Sequence, residues 1–286
     1  MTVLEVIQRS AEFLARKGVE SPRLQVELLL AHLLKMPRMK LYLNFERVLA
    51  EQELEPLREL VKRRGNREPL QHLIGSTNFC GLEFLVNRHV LIPRPETEIL
   101  AERAWKFLSK RSEKSNANSA LDFGTGSGCL AVMLAVKCPL AKINALDISN
   151  DALAVARENA SRHQVAGRIE FHLGDGFAAL KCGAKFDLIV ANPPYIPSEE
   201  IPTLEPEVRD YDPALALDGG EDGLACFRIL SDTAKDRLEA EGVLMLEFGD
   251  GQAQEIREIF EKQKWVVEAV EADYTQRPRF LIARQK

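Results

Sequence analysis

The chain predicts an α/β fold, a mostly parallel and doubly wound sheet with a small bundle of helices in front of it. Three observations carry that reading. From Ala120 onward, apolar runs of strand length alternate with stretches of helical period, the pattern of repeated βα units with helices on both faces of a sheet. Residues 2–73 keep helical spacing and show no strand signal. A glycine-rich turn, Gly124-Thr125-Gly126-Ser127-Gly128, follows the first strand of the alternating part and opens a helix, where doubly wound sheets receive their ligands.

In the front segment, Leu4, Ile7, Ala11 and Leu14 recur at helical spacing and leave Arg9, Glu12 and Arg16 on the other side. Gly18 is a stop, and Ser21-Pro22 restarts a helix with a cap and a first-turn proline. The second helix is expected to bury Leu24, Leu28 and Ala31. A shorter one follows Pro37, and Glu51 to Arg64 makes another. Thr77 to Val86 is rich in β-forming residues around Cys80-Gly81 and reads as a hairpin. Leu91 to Glu98 leads into a helix through Trp105, and the polar run Ser109 to Ser119 reads as a surface loop. Strands are expected at 119–123, 142–147, 168–173, 185–191, 242–248, 264–270 and 279–284. Helices are expected at 128–137, 150–163, 224–240 and 251–263. The resulting division is a bundle at 1–75, a hairpin and linker at 76–95, and a larger domain at 96–286.

At 286 residues, 45% apolar and 28% charged, the chain has an ordinary globular composition with length enough for two cores. No run approaches the roughly 18 apolar residues that span a bilayer. The opening residues lack the basic start and apolar core of a signal peptide. Five cysteines, odd in number and never in a CxxC pair, read as core residues of a reduced compartment, and the five histidines do not cluster. The expected location is the cytoplasm, with no metal. Residues 1–80 carry 13 Lys and Arg against 10 Asp and Glu, a net +3, which leaves 25 against 33, or −8, for the remainder. An acidic catalytic region is a poor general binder of phosphate backbones, so no stable nucleic-acid partner and no membrane partner are expected.

The glycines of the 124–128 turn permit a sharp bend and a close approach by a ligand. Asp147 ends the next strand, where an acid can accept both ribose hydroxyls. These two features fit either a dinucleotide or S-adenosylmethionine, and the G-x-G-x-G spacing is not that of a dinucleotide pyrophosphate loop. Asp175 can accept from an adenine amino group while Phe177 packs on the ring; a loop Asp bonding its own backbone is the plainer alternative.

Asn192-Pro193-Pro194-Tyr195 follows the apolar run Phe186 to Ala191, which reads as a buried parallel strand. The Asn192 side-chain oxygen and the Pro193 carbonyl make two acceptors for a planar NH2 group on which Tyr195 can stack. An amide nitrogen is a poor nucleophile because its lone pair is delocalised. Two acceptors favour the charge growing on it as it attacks a sulfonium methyl, and each should contribute roughly 3–4 kcal/mol. A polyproline ligand loop is the bland alternative, disfavoured by the buried strand that precedes the motif.

These residues resemble the release-factor glutamine methyltransferases (the HemK/PrmC family), and the resemblance covers nearly the whole chain. Asn192 to Tyr195 alone is shared with adenine methyltransferases of DNA. More specific are Leu91-Ile92-Pro93-Arg94-Pro95-Glu96-Thr97-Glu98, the run Glu207 to Gly220, and Arg67 to Gly75, similar to that family's hinge. The resemblance implies a Rossmann-like class I methyltransferase domain with a seven-stranded sheet. It also implies S-adenosylmethionine as methyl donor, and transfer to the glutamine of the Gly-Gly-Gln loop in peptide-chain release factors. Gly124, Thr125, Gly126, Ser127, Gly128, Asp147, Phe177 and Asn192 would line the cofactor, Asn192 to Tyr195 would hold the glutamine, and the bundle would help dock the substrate. Phe177 stands where the family often has Trp. Asp273 to Arg279 departs from the usual Asp-x-x-Gly-x-x-Arg pattern, with Gln276 in the glycine's place. Arg94, Glu96 and Glu98 read either as a helix start, with acids near the positive end of its dipole, or as a segment closing over the cofactor. The rival functions are a ribosomal-protein glutamine methyltransferase, an adenine-N6 DNA methyltransferase, which would need a basic cleft, and a non-catalytic adapter.

Overall fold

The computed structural model describes residues 1–112 and 118–286. Two compact units account for them: Met1–Ser76 with Glu205–Tyr211, and Thr77–Leu204 with Asp212–Lys286.

The first unit holds α1 (Val3–Arg16), α2 (Pro22–Leu33), α3 (Arg38–Tyr42), α4 (Glu51–Gly65) and α5 (Leu70–Ile74). Thr2 and Glu5 form a reciprocal capping box that starts α1. Val3, Ile7, Leu14, Val26, Leu29, Leu30, Leu41 and Leu57 make its core. The expected face of α2 is corrected in part: Ala31 is buried as expected, but Leu24 is exposed, Leu28 is half-buried, and Val26, Leu29 and Leu30 face inward, because the register of α2 is set by packing and not by its own weak apolar periodicity. Ser21 is likewise no side-chain cap. It sits in the left-handed region at φ 46° and makes no capping bond, so Pro22 alone starts the helix. Glu27 is buried and held by Arg23 at 3.0 Å, Arg38 at 3.3 Å and the Tyr42 hydroxyl at 2.7 Å. The segment Glu205–Tyr211, which the sequence assigned to the larger domain, clusters with these helices. Arg64 and Arg67 both bond Glu207, at 2.7 and 2.6 Å, and the Tyr211 hydroxyl donates to the Asn66 carbonyl at 3.1 Å.

The second unit starts at Thr77, one residue into the hairpin of β1 (Ser76–Phe79) and β2 (Leu82–Leu85). Its two turn residues, Cys80 and Gly81, are both left-handed, at φ 50° and 80°, the geometry a tight hairpin with right-handed strand twist requires. A long helix α6 (Pro95–Ser112) follows. It runs well beyond Trp105 and takes in Ser109 to Ser112, which the sequence read as loop. Of that expected loop, residues 113–117 lie outside the described residues, Asn118 is buried and Ser119 opens a strand.

Seven strands then form one sheet in the order β5-β4-β3-β6-β7-β9-β8. They are β3 (Ser119–Phe123), β4 (Lys142–Asp147), β5 (Ile169–Leu173), β6 (Phe186–Ala191), β7 (Leu238–Glu247), β8 (Trp265–Ala272) and β9 (Pro278–Gln285). The first five are parallel and β9 runs antiparallel to both β7 and β8. Helices α7 (Cys129–Lys137) and α8 (Asn150–Arg162) connect the early strands. Two four-residue helices, α9 (Pro206–Arg209) and α10 (Ala214–Leu217), precede α11 (Ala225–Thr233), and α12 (Ala253–Lys262) joins β7 to β8. The expected helix 224–240 stops at Thr233; a single 3-10 turn carries the chain into β7 at Leu238, where pairing of Leu238 with Phe186 overrides helical propensity. Two apolar layers sandwich the sheet, one around α6 and α7 and the other around α11 and α12.

Candidate active site

Chain order places the topological switch between β3 and β6, since β4 and β5 lie to one side of β3 and β6, β7, β9 and β8 to the other. Ligands of open α/β sheets bind at such a switch, outside the carboxyl ends of the strands. The register sets four strand ends in a row. Phe123 pairs with Leu146 and with Ala191, and Ala191 pairs with Leu246. The next residues along, Asp147, Gly124, Asn192 and Glu247, therefore stand side by side.

A cavity of about 260 Å3 opens over this row. Gly124, Thr125, Gly126, Ser127, Asp147, Asp175, Asn192 and Pro194 line it. Gly124 and Thr125 both donate their backbone N–H to the Leu146 carbonyl at 2.9 Å. The Thr125 hydroxyl donates to Asp122, which is fully buried and pushed up to about 7 by that burial. A Cβ at Gly126 would meet nothing within 4 Å, whereas one at Gly128 would come within 2.9 Å of the Ala156 Cβ. Gly128 therefore serves close packing of the turn on α8, and it does not line the cavity. Asn159, buried on α8, donates to the carbonyls of Ser127 and Leu85 and accepts from Leu85 N–H. It locks the turn to the hairpin, a role that an Asn within a helical run gave no sign of.

Asp147 accepts from Gly126 N–H at 2.8 Å and Ser149 N–H at 2.9 Å. Burial pushes its carboxyl up and these N–H donors oppose the shift. Two backbone donors hold the carboxylate facing the cavity, as acceptance of a pair of hydroxyls requires.

Phe177 stands apart from the cavity walls. It packs into the core against Phe123 with ring centroids 5.1 Å apart and is absent from the cavity lining. A ring in a one-turn helix beside the sheet gains more by burial than by lying on an open ligand face. Phe123 itself lines the cavity, together with Ile148, Leu91 and Cys226. Ile148 is 53% exposed directly after Asp147, a signal visible in the sequence only once Asp147 is fixed as a strand end.

The four-residue motif is held from three sides. Asn192 Nδ2 donates to Thr97 Oγ1 at 3.2 Å, and Thr97 donates to Glu247 at 2.7 Å. The Tyr195 carbonyl accepts from Gln252, whose side-chain oxygen accepts from Gly249 N–H. Arg279 lies over the Tyr195 ring, 5.5 Å from its centroid, and donates to its hydroxyl at 3.2 Å. Ile196 is bridged to Asp218, and Gly219 N–H donates to the Ile196 carbonyl, so part of the run Glu207 to Gly220 props the motif. Pro193 and Tyr195 do not line the cavity. Arg94 pairs with buried Asp212 at 2.7 Å, Glu98 accepts from Cys80 N–H, and Thr97 lies at the cavity wall. Of this helix start, Pro93 and Thr97 line the cavity, whereas Arg94, Glu96 and Glu98 do not.

The sheet order, the glycine turn and the acid that ends β4 define a Rossmann-like methyltransferase. That fold is shared with the N-terminal domain of human METTL16 in complex with SAH, at TM-score 0.51 and 18% identity over 72% of this chain and 76% of that one. Residues 5–75 match the PrmC N-terminal domain and residues 101–203 the methyltransferase small domain. The release factor glutamine methyltransferase of Geobacter sulfurreducens is 43% identical over 261 residues, 91% of this chain and 89% of that protein. That of Moorella thermoacetica is 38% identical over 287 residues, 100% of this chain and 99% of that protein. The chain belongs to the release factor glutamine methyltransferase family.

Proposed function

We propose that this protein transfers a methyl group from S-adenosylmethionine to the side-chain amide nitrogen of the glutamine in the Gly-Gly-Gln motif of peptide-chain release factors. Family membership over nearly the full chain supports the reaction, and the Asn192 amide beside the glycine turn is the observation that carries the site. S-adenosylmethionine, when bound, supplies an electrophilic methyl on a sulfonium sulfur. The donor set suits it. Gly124 and Gly126 leave their side of the cavity free of Cβ atoms, Asp147 is oriented for ribose hydroxyls, and Asp175 stands at the rim for an amino group.

In this reading Asn192 Oδ1 and the Pro193 carbonyl accept the two N–H bonds of the substrate amide and hold its nitrogen in line with the methyl. Nitrogen forms a bond to carbon as carbon parts from sulfur, and one N–H proton leaves to solvent. No general base is required, because the N-methylated amide is strongly acidic until that proton departs. Pro194 and Tyr195 flank the amide plane, with Arg279 fixing the Tyr195 ring.

The finer points of setting are proposals on the same footing. A cytoplasmic setting belongs to the same proposal, on the reduced-compartment reading of five scattered, free cysteines. The acidic balance of residues 81–286 argues against a stable nucleic-acid partner. Replacement of Asn192 by Ala tests the assignment. Methyl transfer should fall by at least about 100-fold with cofactor affinity within several-fold, and an active variant would remove the two-acceptor mechanism.

A further inference from the structure

Glu247 is the fourth member of the row of strand ends, and the reaction described above gives it no part. It is fully buried at the end of β7, and the sheet register sets it beside Asn192. Between them stands Thr97, 2% exposed, on the first turn of α6. The contacts run Asn192 Nδ2 to Thr97 Oγ1 at 3.2 Å and Thr97 Oγ1 to Glu247 Oε2 at 2.7 Å.

A threonine hydroxyl has one proton. Thr97 donates that proton to Glu247, so towards Asn192 its oxygen can only accept. The Asn192 amide must then present its NH2 to Thr97, which turns Oδ1 the other way. We propose that Glu247, acting through Thr97, is a positioning residue that fixes the face of the Asn192 amide and so presents Oδ1 to the nitrogen being methylated. The inference rests on Asn192 being the acceptor for the substrate amide.

The chain of donors has a direction only while Glu247 is ionised. A protonated Glu247 can donate to Thr97, freeing the Thr97 proton to point at Asn192. The amide then turns over and offers NH2 to the substrate NH2, donor against donor. Burial pushes Glu247 up to about 7, with Thr97, Arg279 and Arg94 opposing and Glu96 adding to the shift. These groups and the Tyr195 hydroxyl are the charged or titratable ones that bear on it, from the start of α6, from β9 and from the motif. Arg279 Nη2 lies 3.9 Å from Glu247 Oε1, and that oxygen has no hydrogen-bond partner among the described residues. Arg279 thus pairs with Glu247 only at long range, and Thr97 makes the short contact to this carboxyl.

The test is kcat from pH 6 to 9 for the full-length protein, with an intact release factor as acceptor and labelled S-adenosylmethionine as donor. Thr97→Val should lower kcat roughly 10- to 100-fold, the scale seen when a partner that orients a metal-binding side chain is lost, while KM for the release factor and cofactor affinity stay within about threefold. Thr97→Ser, which keeps the hydroxyl, should restore kcat. The acid limb of the wild-type profile near pH 7 should vanish in Glu247→Gln. If the Gln variant does not fold, the Thr97 pair carries the test. Full kcat in Thr97→Val alongside an inactive Asn192→Ala would overturn the positioning role and leave glutamine methylation standing. A wild type that labels no release factor would overturn the reaction itself.

Discussion

Asp147 accepts the N–H of Gly126 across 2.8 Å, so the acid that ends β4 and the glycine turn that follows β3 form one rigid unit. Loss of the carboxylate removes both the acceptor for a ligand hydroxyl pair and the brace on the turn. Asp147→Ala should weaken S-adenosylmethionine binding roughly 10- to 100-fold, the scale of one charge-assisted hydrogen bond. Calorimetry measures it directly, and unchanged affinity would contradict the ribose assignment.

Gly126 and Gly128 separate ligand space from packing. At Gly128, φ is 78° and a Cβ would lie 2.9 Å from that of Ala156, so Gly128→Ala should cost about 2–4 kcal/mol of stability. At Gly126 the Cβ has free space, so Gly126→Ala should cost about 1–2 kcal/mol and act chiefly on cofactor affinity. Urea unfolding and calorimetry on both variants distinguish the two; equal destabilisation would contradict the division.

Gln276 holds φ 66° where the family pattern has glycine. The turn nevertheless closes, because Asp273 accepts from Thr275 N–H at 2.7 Å and Arg277 N–H at 3.1 Å. Arg279 is delivered to Tyr195 all the same. Gln276→Gly should relieve the left-handed strain and raise stability by about 0.5–1 kcal/mol after the entropy cost of glycine. A lower urea midpoint with unchanged slope would contradict it.

Arg94 compensates Asp212, whose side chain is 1% exposed and which burial pushes up to about 6 even with the guanidinium beside it. Arg94→Ala should destabilise by about 1–3 kcal/mol at pH 8, a buried-pair effect reduced by the partial exposure of Arg94. Because the folded protein holds the Asp212 proton to higher pH than the unfolded chain, the unpaired acid is neutral at pH 5 and the loss should shrink there. Adding Asp212→Asn should recover most of it. Melting curves at pH 5 and 8 decide the matter, and a loss that grows on acidification would contradict the sign.

Much of this was legible in the residues. Phe186 to Ala191 read as a buried strand, so the position of Asn192 at a strand end followed, and the glycine turn and Asp147 marked the neighbouring ends. What escaped was set by packing across the chain. Phe177 was read as a ligand ring because it follows Asp175 at a strand end, but it packs against Phe123 in the core. Leu24 looked like a core residue on local periodicity that the tertiary register of α2 overrode. Glu247 was invisible because a lone acid after Val243 to Leu246 gains meaning only when the pairing of Ala191 with Leu246 brings it to Asn192.

Labelled-methyl transfer tests the central claim most directly, with three acceptors: an intact release factor, the same factor with its Gly-Gly-Gln glutamine replaced, and duplex DNA. Label on the intact factor alone is the predicted result. Label on the substituted factor or on DNA, or none on the intact factor while S-adenosylmethionine still binds, would contradict it.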